Sequence, residues 1–170
     1  MNKKSFFLME IFGAFFIMLM GAFFSNFRPE FINKTTIQLL TQNRNSVWEA
    51  IKVFIVPYCL WCFVEILILD LPIQKLFVTK VFDLYLFVCL VLVSFEISNY
   101  LNIEMSFFPD FNLIFLSLLL CQLVSYRIVT SRFYLDTFFL MSCVCLLLFF
   151  CLYILFTLFP PKLEVFYDFG

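Results

Sequence analysis

The 170-residue chain contains no histidine. Imidazole is the side chain best suited to general base work near neutral pH and the commonest metal ligand. Its absence removes Ser-His-Asp and Cys-His catalysis, and His-held metal or haem, from anything this chain does alone. Charge is scarce too: Lys, Arg, Asp and Glu make up 14%, against an ordinary share of about 25%. Eleven basic and twelve acidic residues leave a net charge of −1, which gives a nucleic acid little to hold. Internal repeats and low-complexity linkers are missing as well, so an inverted-repeat carrier is not supported. No polar stretch is long enough for a separate soluble domain.

What is present is grease. Hydrophobic residues reach 64%, with 28 phenylalanines, and the mean hydropathy is +1.04. A water-soluble fold of this size could not cover itself with so little polar surface, and a disordered chain would be poor in apolar residues. One membrane span takes about 20 apolar residues. The expectation is therefore an all-α polytopic bundle of about five spans, at 6–27, 47–69, 76–99, 107–129 and 134–158, forming one integral-membrane domain over 1–170. Pro57 should kink the second span and free a carbonyl. The 31–45 stretch reads either as an interfacial helix or as a loop. The N-terminal Lys3 and Lys4 before an apolar run imitate a signal peptide. Glu10 within the run and the lack of a small-residue cleavage site point instead to an uncleaved first helix.

All seven cysteines (Cys59, Cys62, Cys89, Cys121, Cys143, Cys145 and Cys151) lie in apolar runs and read as small buried hydrophobes. Cys59 and Cys62 form a CxxC without a second pair, so no metal or other cofactor is expected. Basic residues divide almost evenly between the two sides. The third loop, with Glu104 and Asp110 and no Lys or Arg, suits the outside, which favours a cytoplasmic N-terminus in the cell membrane.

Charge inside a span costs about 2.5–3.5 kcal/mol at the centre on insertion scales. Glu10, Glu65, Lys80, Asp83 and Arg127 nonetheless fall within or at the ends of spans, all toward one side. They read as a charge-paired inter-helix cluster. Either they serve an ion or substrate path, or they are structural pairs and snorkelling side chains. Asn45, Trp48, Glu49 and Lys52 share one helical face at the start of the second span. That face is either a polar pocket or an ordinary capped, anchored helix start. Gly13 and Gly21 fall on one stripe with Glu10 and Ile17, a seam for close helix packing. Gln122, Ser125 and Tyr126 form a hydrogen-bonding patch on the fourth span, and the fifth span should face lipid.

The chain resembles a family of small bacterial integral-membrane proteins best known in Firmicutes, the domain of unknown function number 6512. The resemblance rests on Glu10-Ile11-Phe12-Gly13 with Gly21, on Asn45-Ser46-Val47-Trp48-Glu49-Ala50-Ile51-Lys52 with Pro57 and Glu65, on Gln122-Leu123-Val124-Ser125-Tyr126-Arg127, and on Phe156-Thr157-Leu158-Phe159-Pro160-Pro161 followed by Phe166 and Asp168. It implies a multi-span membrane protein and no activity. Where that family commonly carries histidines, this chain has Ala50 and Ser25-Asn26-Phe27, so a role of those histidines would be lost here.

Three roles compete. The favoured one is a small subunit or accessory of a membrane complex, with lipid and a membrane-protein partner or a second copy as neighbours. The next is an oligomeric ion or small-solute transporter using the intramembrane carboxylates. The last is an intramembrane enzyme with Glu49 as acid or base and Lys52 as anion holder. An enzymatic role is not expected.

Overall fold

The computed structural model describes residues 3–26, 46–69, 71–100, 107–132 and 134–161. Five helices make up nearly all of it: α1 Lys3–Asn26, α2 Val47–Ile68, α3 Ile73–Tyr100, α4 Phe107–Thr130 and α5 Phe139–Leu158. All five are long and apolar enough to cross a membrane. There is no strand among the described residues. The 31–45 stretch lies outside them.

Local chemistry fixes several helix ends. Ser46 caps α2 by accepting from the Glu49 N–H at 3.4 Å, and Glu49 places negative charge in the first turn, where the helix dipole favours it. Helix α2 runs unbroken through Pro57, although the proline leaves the Val53 carbonyl without its usual donor. Helix α5 begins at Phe139, later than the expected 134, because a 3-10 turn at Asp136–Phe138 precedes it. Lys75 Nζ donates to the Ser131 carbonyl at 2.6 Å, fixing the α4–α5 turn to the start of α3.

Helices α1 to α4 close into a ring, α1 on α2, α2 on α3, α3 on α4 and α4 on α1, while α5 packs on the outside of α3. Ring contacts set the directions. Phe7 meets Tyr126 and Phe15 meets Phe115, so α1 and α4 are antiparallel. Phe77 meets Phe139 and Tyr85 meets Phe149, so α3 and α5 are parallel. Tyr85 Oη adds a 2.7 Å bond to the Cys145 carbonyl.

In lipid there is no hydrophobic drive between helices, so close packing and polar contacts must hold them. Gly13 and Gly21 supply the closeness. A Cβ on Gly13 would lie 2.7 Å from Trp61 Cε2 and 2.9 Å from Gln122 Nε2, and one on Gly21 would enter the Phe54 ring. The glycine seam is therefore used inside the bundle, chiefly against α2. Helix α5 buries only Ser142, Phe149 and Tyr153 and leaves most of its apolar surface outward, as expected of a lipid-facing span. Several serine and threonine hydroxyls in the helices bond back to their own backbone, as Ser94 does to Leu90 and Thr157 to Tyr153, so they need no partner from lipid.

Candidate functional site

The alternating directions bring one end of α1 and α3 beside the opposite end of α2 and α4. Glu10, Glu65, Lys80, Asp83, Gln122 and Ser125 then lie about 5–15 Å in from the nearest helix ends, at 1.5 Å per residue. Each of the four ring helices contributes at least one of them.

Lys80 is the centre. Its Nζ lies 2.7 Å from Glu65 Oε2 and 2.8 Å from Glu10 Oε2, and it donates to Gln122 Oε1 at 2.9 Å. A lysine ammonium carries three donors and no acceptor; two of them meet Glu10 Oε2 and Gln122 Oε1 in hydrogen-bonding geometry, while Glu65 Oε2 pairs with it by charge alone. That also fixes the Gln122 amide with its oxygen toward Lys80, which leaves Nε2 without an acceptor. The other oxygens of the two glutamates are held as well. Ser125 Oγ donates to Glu10 Oε1 at 2.9 Å, and Trp61 Nε1 donates to Glu65 Oε1 at 2.8 Å. Tyr58 Oη donates to the Lys80 carbonyl at 3.1 Å. Gly13 makes room for Trp61 and Gln122 to reach inward together.

Asp83 is the exception. It lies one turn beyond Lys80 on α3, has no exposed surface, and neither carboxyl oxygen meets a donor in hydrogen-bonding geometry. Ser125, close enough to interact with both Asp83 and Glu10, gives its proton to Glu10. The centre thus holds three carboxyl groups and one ammonium, none more than 4% exposed.

Of the expected cluster, the structure gathers Glu10, Glu65, Lys80 and Asp83 and leaves Arg127 out. Arg127 is exposed. It follows Ser125 by two residues, which turns it about 200° round the helix and away from the ring. Snorkelling does not describe the other four, since all are buried. Gln122 and Ser125, expected as a separate patch, belong to the centre, while half-buried Tyr126 packs instead on Phe6 and Phe7. Trp61 and Tyr58 were not anticipated. The i, i+4 spacing of Trp61 and Glu65 was the available signal.

The second polar face sits at the other end of the bundle. Lys52 Nζ and Glu49 Oε2 pair at 2.7 Å, and Lys52 is wholly buried. Trp48 is buried against Tyr153 and Phe156 of α5. Asn45 lies outside the described residues. All seven cysteines carry free thiols.

The model of the family of unknown function DUF6512 matches residues 1–169. No curated protein and no solved structure matches the chain.

Proposed function

The chain belongs to DUF6512, a family of unknown function, so its role has to come from its own residues, and we propose that it is a small membrane transport protein that exchanges protons at the Lys80 centre. One observation carries this reading: three buried carboxyl groups surround a single buried ammonium. Fully ionised, the centre would hold two negative charges that no described cation balances. A purely structural pair has no need of that excess. Burying ionic groups is expensive, and well-packed apolar residues often serve stability as well or better. Asp and Glu side chains within membrane spans are the usual material of proton relays. Five spans are few for a carrier acting alone, so the working form is a homo-oligomer in the cell membrane. The N-terminus is cytoplasmic, which places the centre in the inner half of the bilayer.

Purified protein in liposomes tests this. With a pH-sensitive dye inside and a potassium diffusion potential as drive, the wild type should acidify the lumen and Glu65→Gln should not. Wild-type vesicles that behave like empty ones, with or without candidate solutes, would end the proposal.

A second reading, an accessory subunit of a larger membrane complex, draws support from α5, which presents most of its surface outward. The glycine seam lends it no support, because Trp61 and Phe54 fill that seam from within. A stoichiometric partner that co-purifies in mild detergent would favour it. Neither reading uses Glu49 and Lys52, which pair with each other at 2.7 Å at the start of α2.

A further inference from the structure

Asp83 is a fully buried polar side chain aimed into the centre without a hydrogen-bond donor. An ionised carboxylate is acceptor-only and strongly penalised when buried without donors. The ionisable groups around it are Glu10 on α1, Tyr58, Cys62 and Glu65 on α2, Lys80 on its own helix and Cys121 on α4. Lys80 is the sole cation among them, hydrogen-bonded to Glu10 and Gln122 and ion-paired with Glu65. Ser125 is the nearby hydroxyl, and its one proton already goes to Glu10. Its free lone pairs can accept a hydrogen bond. An ionised Asp83 has nothing to donate to them, whereas a protonated Asp83 has.

Resting on the proton-exchange reading of this centre, we infer that Asp83 carries the exchangeable proton and that Ser125 relays it to Glu10. In the step, the Asp83 O–H bond breaks as its proton bonds to Ser125 Oγ, while the Ser125 O–H bond breaks and that proton bonds to Glu10 Oε1. Asp83 becomes a carboxylate, Glu10 becomes an acid, and the serine hydroxyl is regenerated. Negative charge has moved from α1 to α3. Lys80, three residues before Asp83 and so on the same helical face, follows it by turning from Glu10 Oε2 toward Asp83. Ser125 is the relay in this scheme, taking one proton from Asp83 as it gives its own to Glu10.

Infrared difference spectroscopy of the full chain in lipid nanodiscs reads the proton directly and does not depend on transport. The wild type should show the carbonyl band of a protonated carboxyl group, lost in Asp83→Asn. In Ser125→Ala the band should move to the higher frequency of an acid without a hydrogen bond, and Ser125→Thr should restore it. In liposomes, Ser125→Ala should lose proton flux and Ser125→Thr should keep it. A band that survives Asp83→Asn would place the proton elsewhere and overturn the inference. A band that does not move in Ser125→Ala, or full flux in that variant, would overturn the relay. An Asp83 band with the expected serine response but no wild-type flux would leave the proton assignment standing and reject transport.

Discussion

Replacing Lys80 with methionine is the sharpest perturbation of the fold that the geometry allows. Methionine keeps much of the aliphatic length and removes the ammonium. Glu10 Oε2, Glu65 Oε2 and Gln122 Oε1 then lose a cation that stands 2.7–2.9 Å away, in a space where none of them is more than 1% exposed. Removing one partner of a buried ion pair costs about 3–5 kcal/mol. At roughly 2–4 °C per kcal/mol for a chain of this size, the melting temperature should fall by about 6–20 °C. The remaining bonds from Ser125 to Glu10 and from Trp61 to Glu65 argue for the lower half of that range. The cysteines supply the assay, since Cys121 is buried and Cys59 and Cys62 are half-buried; with the exposed Cys89 and Cys151 replaced by alanine, a thiol-reactive dye reports unfolding in detergent. The comparison that matters is with the neutralised variant Glu10→Gln/Glu65→Gln/Lys80→Met/Asp83→Asn, which strands no charge. It should lose less stability than Lys80→Met, since no buried charge is left without its counter-ion, although the new amide N–H groups have to find acceptors. If Lys80→Met melts like the wild type, the ion pairs carry no weight. If the neutralised variant falls as far as Lys80→Met, the charges exist to hold the fold, and the functional argument fails.

Three other outcomes follow from single contacts. Gly13→Ala should force Trp61 and Gln122 outward and cost about 1–3 kcal/mol as overpacking, read as a lower melting temperature and altered tryptophan fluorescence. Trp61→Phe removes the donor to Glu65 Oε1 while keeping the ring, and should cost about 1–3 kcal/mol for a buried charged acceptor left short of a donor in the same thiol assay. Arg127→Gln, outside the cluster and exposed, should leave stability within about 0.5 kcal/mol of the wild type and leave flux unchanged.

The bundle was legible because apolar runs of span length admit few other folds. Glu10, Glu65, Lys80 and Asp83 were legible as a group because charge in such runs demands a partner. The details that depend on three dimensions were not. A hydropathy profile places Arg127 at the same depth as the cluster but does not reveal which way it points. The 100° step per residue from Ser125 excludes it once Ser125 is known to face inward. Gln122 and Ser125 read as a separate patch because nothing in the order of the spans says that α4 lies against α1. The glycine stripe signalled close packing, yet whether its neighbour was another chain or α2 was open until Trp61 and Phe54 were seen to fill it. That α5 covers Trp48 with Tyr153 and Phe156 was not legible either, since nothing in the order of the spans says that α5 reaches the start of α2.

Stability and activity should come apart at this centre, and proton flux through the neutralised variant shows whether they do. Liposomes holding equal amounts of folded wild-type protein and of Glu10→Gln/Glu65→Gln/Lys80→Met/Asp83→Asn are compared under the same potential. The wild type should carry protons, and the neutralised variant should match protein-free vesicles despite its intact fold. Equal flux from both would contradict the assignment of proton exchange to the Lys80 centre.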